Sequence, residues 1–142
     1  MILRPMTPPD EPAVRALFAQ CHPRWAPRAT HWYVAYPTLV AFEDDTLVGF
    51  TSFAVTNYLG TVMVCGQDLC VLPIVQHTGV GWALHTARCE MGAEVGARMF
   101  TGLTAPENKP MIRIFERCGY HACHAVPGAF PDGNGVIYLG DL

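Results

Sequence analysis

Residues 71–84 read Val-Leu-Pro-Ile-Val-Gln-His-Thr-Gly-Val-Gly-Trp-Ala-Leu, and this stretch decides the fold. A strand-like run ends at Pro73, a loop with Gly79 and Gly81 follows, and a helical pattern begins at once. The first N–H groups of a helix have no partner within the helix, and the helix dipole adds positive charge there. The junction therefore suits a pyrophosphate, although a tight turn with close packing of the helix on the sheet explains the glycines equally well.

Two better-known phosphate motifs do not fit this loop. No Gly-Lys-Ser/Thr follows it, so it is not a P-loop. Its glycine spacing is not G-x-G-x-x-G, and three strand-like runs precede it where a dinucleotide fold would have its first βαβ unit.

The pattern on either side of this loop predicts a mixed α/β chain in the order β-α-loop-β-β-β-α-β-α-β-β. The predicted strands cover residues 2–6, 38–42, 47–55, 61–72, 97–101, 120–126 and 136–139. A helix of about twelve residues follows the capping sequence Thr-Pro-Pro-Asp at 7–10. A second helix runs from residue 80 to 92–95 with Val80, Leu84, Ala87 and Met91 on one face, and a third covers 107–117. Residues 23–37 are rich in proline and aromatic residues and predict an ordered loop.

The composition indicates one domain over residues 1–142. Apolar residues make up 51% and charged residues 15%, with a net charge of −3, which excludes a disordered chain and a basic nucleic-acid-binding protein. The apolar runs are too short for a membrane helix, and the first residues lack the apolar core of a secretory signal. We therefore expect a cytoplasmic protein whose 6 cysteines are reduced thiols.

Two motifs resemble those of the GNAT N-acetyltransferase superfamily. The string V-x-P-x-x-Q-x-x-G-x-G at 71–81 is similar to the acetyl-CoA loop of that family. The segment 108–120 is similar to its second motif, N-x-x-A-x-x-x-Y-x-x-x-G-F, with Asn108 and the final Gly-aromatic pair in register. The first 18 residues and the run at 38–50 are also similar to family members, so the resemblance spans almost the whole chain.

The resemblance implies a GNAT fold of the α+β type, a mixed and mostly antiparallel sheet of six or seven strands flanked by about four helices. It implies that the fourth strand splays from the fifth at about Val71. It also implies acetyl-CoA as cosubstrate, with strand backbone pairing the pantetheine arm, loop amides holding the pyrophosphate, and the residues at 108 and 115 beside the thiol. The implied cofactor-binding residues are Leu69, Cys70, Val71, Gln76, His77, Thr78, Gly79, Val80, Gly81, Trp82, Asn108 and Phe115.

The catalytic residues are less well marked. At the position of Phe115 the family often has a tyrosine, which is thought to protonate the departing thiolate. Phenylalanine cannot do this, so a catalytically silent CoA-binding or regulatory module is the alternative to a direct N-acetyltransferase. Asp68 is the only acid between Asp45 and Glu90 and is a candidate general base. The alternative interpretation of Asp68 is an exposed strand carboxylate or an arginine partner, and the family's bases tend to lie in the opposite side-chain phase. His31 is the second candidate, against a surface or packing role.

The acceptor is expected to be an amine on a small molecule or a peptide, with no nucleic acid and no membrane as partner. Family members often dimerise, so the resemblance allows a homodimer. No metal is expected, because the one Cys/His cluster runs from a helix end into a strand without a second pair at zinc-finger spacing. We interpret its members as buried structural residues: Cys118, His121, Cys123 and His124.

Overall fold

The computed structural model describes residues 1–24, 35–131 and 133–142. The strands are β1 (Ile2–Pro5), β2 (Thr38–Glu43), β3 (Thr46–Tyr58), β4 (Thr61–Val71), β5 (Met99–Thr104), β6 (His121–Phe130) and β7 (Gly133–Asp141). The helices are α1 (Glu11–Cys21), α2 (Val80–Glu94) and α3 (Lys109–Arg117), with 3-10 turns at Pro8–Asp10 and Pro73–Val75. The predicted order is confirmed. The loop predicted over 23–37 falls mostly on residues outside those described.

The strands form one seven-stranded sheet in the order β1-β2-β3-β4-β5-β7-β6. β1 with β2, β2 with β3, β5 with β7 and β6 with β7 are antiparallel, whereas β4 and β5 are parallel. The expected mixed, mostly antiparallel sheet is confirmed. The described ranges hold three α-helices, one fewer than the resemblance implied.

Several element bounds differ from the prediction. β3 continues to Tyr58 and β6 to Phe130, because a solvent-exposed hairpin end keeps its backbone ladder without the apolar alternation that marks a strand in the sequence. β5 starts two residues later than predicted, at Met99, and ends at Thr104. Its last residue pairs with Val136 of β7.

The chain divides into two compact units. Unit 1 comprises Met1–Phe53 and Asp68–Arg88. Its core holds the buried residues Val14, Leu17, Phe18, Val40, Leu47, Phe50 and Cys70. The Asp10 carboxylate fixes the 3-10 turn before α1, because it accepts hydrogen bonds from the Thr7 backbone N–H (2.8 Å) and from the two terminal nitrogens of Arg4 (2.7 and 2.9 Å).

Unit 2 comprises Ala54–Gln67 and Cys89–Leu142. Its core is aromatic: the Phe115 ring lies 5.6 Å from Phe100, 5.9 Å from Tyr120 and 5.1 Å from Tyr138, measured between centroids. Whether residues 1–142 act as a single domain is not tested by this division into two units, so the single domain stays a prediction.

The ladder between β4 and β5 ends earlier than expected. It joins Met63 to Met99 and stops, among the described residues, at the pair Gly66 and Gly102, so the divergence predicted near Val71 begins at Gly66. Both residues are glycines, which weaken a strand. Beyond them the Asp68 carbonyl accepts a hydrogen bond from the Thr51 hydroxyl at 2.6 Å. Residues 69–71 therefore lie on β4 beyond the last β5 partner.

Candidate functional site

The loop at 76–81 presents backbone N–H groups at the start of α2. His77 (φ 66°) and Gly79 (φ 97°) are both left-handed, which turns the chain sharply before α2. Ala83 donates its N–H to the Gly79 carbonyl at 3.0 Å, and the part of the chain that the structure describes offers no backbone acceptor to the N–H groups of Gly79, Val80 and Gly81. These three donors lie at the positive end of a 15-residue helix.

Local hydrogen bonds fix the loop. The Gln76 side chain donates to the Val71 carbonyl at 3.2 Å, and its backbone N–H donates to the Pro73 carbonyl at 3.2 Å. The Thr78 hydroxyl donates to the Val75 carbonyl. Gln76 thus ties the loop to the end of β4, while residues 77–79 are exposed.

Gly49 of β3 sets the position of α2, and this role of Gly49 was not predicted from the sequence. A Cβ atom there would lie 2.9 Å from Leu84 Cδ1, 3.0 Å from the Cys70 carbonyl oxygen and 3.1 Å from Val80 Cγ1. Only glycine allows the first turn of α2 to pack this closely on the strand. A glycine inside a strand-like run was the available signal.

Asp68 lies on β4 and is partly buried, so it is not the exposed strand carboxylate of one interpretation. Its carboxylate accepts a hydrogen bond from the Ser52 hydroxyl at 3.0 Å. Burial raises the pKa of Asp68 to about 7, against the opposing effects of the Ser52 hydrogen bond and the positive charge of Arg88. A carboxylate with this pKa can take up a proton near neutral pH.

A buried polar network supports Asp68 from α2. Arg88 is only 2% exposed and donates to the Thr51 hydroxyl at 3.0 Å and to the Asp68 carbonyl at 3.4 Å. It also donates to His85 Nδ1 from Nη2 at 2.9 Å, so the His85 proton is assigned to Nε2. Burial and the adjacent guanidinium lower the pKa of His85 to about 3, which keeps the imidazole neutral.

This network was not predicted from the sequence, because the face predicted for α2 is only half correct. Val80 and Leu84 are buried as predicted, but Ala87 and Met91 are only partly buried. Arg88 occupies the face in their place, four residues after Leu84. The interval of four residues between Leu84 and Arg88 was the available signal for a shared face. It could not be used, because an arginine is almost never fully buried unless it is paired, and the partners of Arg88 on other elements are not visible in the sequence.

In unit 2, Asn108 caps α3, with its side-chain oxygen accepting from the Met111 N–H at 3.3 Å. Phe115 is 2% exposed and lies in the aromatic core. A Cβ atom on Gly102 would lie 3.0 Å from Phe115 Cζ, so the tip of the ring fills the room beside that glycine. The roles of both residues beside a cofactor remain predictions.

The remaining predictions concern His31, the Cys/His cluster and a membrane helix. His31 lies outside the described residues. Within the described ranges no three His, Cys, Asp or Glu groups assemble into a metal site. The burial predicted for the Cys/His cluster is wrong, because Cys118 is only partly buried and residues 121–125 of the edge strand β6 are exposed. None of the described helices is both long and apolar enough to span a bilayer.

Comparisons with known proteins agree with this fold. The family model described as "Acetyltransferase (GNAT) family" matches residues 9–120. Among solved structures, Naa50 of Arabidopsis thaliana in complex with the bisubstrate analogue CoA-Ac-MVNAL has a TM-score of 0.85 at 15% identity, over 99% of this chain and 98% of that one. No curated protein matches the sequence significantly.

Two further structures have the same fold. The ribosomal-protein-S18-alanine N-acetyltransferase of Escherichia coli has a TM-score of 0.78 at 15% identity and covers 99% of this chain and 92% of its own. An aminoglycoside 6'-N-acetyltransferase complexed with coenzyme A has a TM-score of 0.82 at 15% identity, with 99% and 97% covered. At these identities the likeness concerns the fold.

Proposed function

Because the chain belongs to the acetyltransferase (GNAT) family, we propose that it is an acetyl-CoA-dependent N-acetyltransferase that moves the acetyl group directly to an amine. The observation that carries the proposal is the junction at 76–81, where three N–H groups without backbone acceptors meet the positive end of α2. Solved neighbours of the same fold include complexes with coenzyme A and with a CoA bisubstrate analogue.

The backbone, rather than side-chain charge, would hold the pyrophosphate of acetyl-CoA. The sequence has a single lysine, Lys109, and its net charge is −3. Amide donors and a helix dipole bind an anion without lysines, and the left-handed glycine at 79 has no atom within 4 Å of where a Cβ would be. Residues 69–71 on β4 would pair with the pantetheine arm. The resemblance assigns Asn108 and Phe115 to positions beside the pantetheine and the thiol.

Asp68 is the general base of this proposal. An amine acceptor is largely protonated at neutral pH and must lose a proton before it attacks a thioester carbonyl. The pKa of about 7 suits the Asp68 carboxylate to accept that proton directly or through a water molecule. A free thiol has a pKa of roughly 8.5, so the CoA thiolate can leave without the tyrosine that Phe115 replaces. No covalent enzyme intermediate is needed.

Isothermal titration with acetyl-CoA tests the binding step. We expect wild-type protein to bind and Gly79→Glu not to bind, because the added carboxylate would meet the phosphates. The matched control is Gly96→Glu, since Gly96 has φ 94°, an equally open surrounding and the same backbone strain. Neither heat nor a thermal shift for the wild type at millimolar acetyl-CoA would exclude the proposal.

Turnover separates an enzyme from a silent CoA-binding module. Phe115, buried and without a hydroxyl, is the observation that favours the silent module. The assay measures CoA release across amines, polyamines, aminoglycosides, amino acids and peptide N-termini. CoA release with any acceptor that is lost in Asp68→Asn supports an N-acetyltransferase. Binding of acetyl-CoA without CoA release across the whole panel supports a silent CoA-binding module.

A further inference from the structure

Strand β4 changes its support along its length. Among the described residues its ladder with β5 ends at the pair Gly66 and Gly102. Farther along, the Leu72 N–H donates to the Val48 carbonyl at 2.8 Å, which holds the end of the strand. The stretch between Gly66 and Leu72 has lost one strand partner, so its conformation depends on bonds from elsewhere in the fold.

Buried side chains from β3 and α2 hold this stretch at Asp68. The Thr51 hydroxyl donates to the Asp68 carbonyl at 2.6 Å. Arg88 Nη1 donates to the Thr51 oxygen at 3.0 Å and to the same carbonyl at 3.4 Å. Thr51 is 0% and Arg88 2% exposed, so water does not compete for these bonds. Hydrogen bonds from a cation are roughly twice as strong as those between neutral groups.

His85 orients the guanidinium that makes these bonds. Arg88 Nη2 and Nε lie 2.9 and 3.2 Å from His85 Nδ1, and His85 lies three residues earlier on the same helix. The guanidinium is planar and rigid, so a bond on one edge directs Nη1 toward the Thr51 hydroxyl. An arginine can therefore reach the helix and the strand at once, whereas the single ammonium of a lysine has no second arm.

We propose that Arg88 is a positioning residue, which with Thr51 keeps β4 extended after Asp68 so that the backbone of residues 69–71 can bind the pantetheine arm. The ligand in this inference rests on the proposed function. Ser52 donates to the Asp68 carboxylate, whereas Thr51 and Arg88 donate to its backbone carbonyl. Adjacent residues of β3 thus fix the side chain and the backbone of the same aspartate.

Hydrogen–deuterium exchange of the folded full-length chain tests whether Arg88 holds the strand. In Arg88→Met we expect amide exchange over residues 68–72 to rise roughly tenfold, with a smaller change over β2, because a bond to a charged group is lost at one place. Arg88→Lys should behave in the same way, since it keeps the charge but not the planar fork.

Two further variants make this test specific. Thr51→Val removes the bridging hydroxyl, keeps Arg88, and should also raise exchange over residues 68–72. Arg15→Met is the matched control, because it makes the same substitution in unit 1 at an arginine whose ion pair lies within α1. It should leave exchange over residues 68–72 unchanged.

Isothermal titration with acetyl-CoA connects the strand to the ligand. The Kd should rise about tenfold in Arg88→Met, because the strand must be ordered again on binding, and should not change in Arg15→Met. Exchange over residues 68–72 that rises no more than that of β2 would overturn the inference, and so would raised exchange with an unchanged Kd. If the wild type does not bind acetyl-CoA, the proposed function fails, while the exchange data still decide whether Arg88 holds β4.

Discussion

Ser52→Ala tests the assignment of Asp68 most directly. Ser52 is fully buried, and its hydroxyl donates to the Asp68 carboxylate at 3.0 Å, a contact that favours the charged form. Removing the hydroxyl leaves burial, which favours the neutral form, opposed by Arg88 alone. The pKa of Asp68 should therefore rise, and a base that must be deprotonated should need a higher pH to work.

The size of the effect follows from the hydrogen bond. A hydrogen bond to a charged group contributes ~1.5–3 kcal/mol, and ~1.4 kcal/mol corresponds to a tenfold change in a protonation equilibrium. Asp68 is partly exposed, so water replaces part of the lost bond and the lower end applies. We expect the pKa to move from about 7 to roughly 8. The deprotonated fraction at pH 6.5 would then fall roughly eightfold, and at pH 9 by less than about 10%.

The assay is the pH profile of kcat/KM for CoA release with one acceptor amine, compared between wild type and variant. The titration of the amine itself is common to both profiles and cancels in the ratio. Thr101→Val is the control, because it removes a hydroxyl that donates to the Tyr138 carbonyl at 3.2 Å and belongs to unit 2. Equal activity ratios at pH 6.5 and pH 9 for Ser52→Ala would refute the reasoning.

Three other substitutions have defined outcomes. Asp68→Asn should abolish turnover yet raise the free energy of unfolding by roughly 1–3 kcal/mol above pH 7. A group whose pKa is raised in the folded protein loses its stabilising contribution as the pH rises through that pKa, and asparagine has no such group. Denaturant unfolding of wild type and variant at pH 5 and pH 8 measures the difference. Phe115→Tyr should destabilise by ~1–3 kcal/mol and not raise kcat, since its hydroxyl would be buried against Gly102; a thermal melt and the CoA-release assay decide. Asp10→Asn should lower the free energy of unfolding by about 1 kcal/mol at pH 7, because Arg4 and Thr7 hold the pKa of Asp10 well below its usual range. The difference from wild type should shrink below about pH 4, which thermal melts at several pH values measure.

The loop and the order of elements could be predicted because their signals are local. Proline at the end of β4, glycines at 79 and 81 and the apolar residues of α2 act within a few residues of one another. The capping sequence before α1 was equally local, since the Asp10 carboxylate accepts a hydrogen bond from the Thr7 N–H three residues earlier. The length of the exposed hairpin strands was not, since their ladders are held by partners on other strands.

The surroundings of Asp68 could not be predicted for a different reason. Ser52, Arg88 and Asp68 come from β3, α2 and β4, and only the fold brings their polar groups within hydrogen-bond distance. A single aspartate in a strand pattern carries no sign of whether it will be solvated or buried, and that difference decides its pKa. Sequence named the residue, but its protonation behaviour is a property of the packed unit.

Helix α2 positions both parts of the proposed site in unit 1. Its first turn carries the N–H groups of the loop, and further along Arg88 donates to the Asp68 carbonyl and the Thr51 hydroxyl. Close packing at Gly49 prevents a shift of this helix along β3, because Leu84 and Val80 already fill the space of a side chain there. The loop and the carboxylate are therefore held in fixed relation by one packed helix. Under the proposed function, a chain with a single lysine would bind an anion and accept a proton through backbone and packing rather than through surface charge.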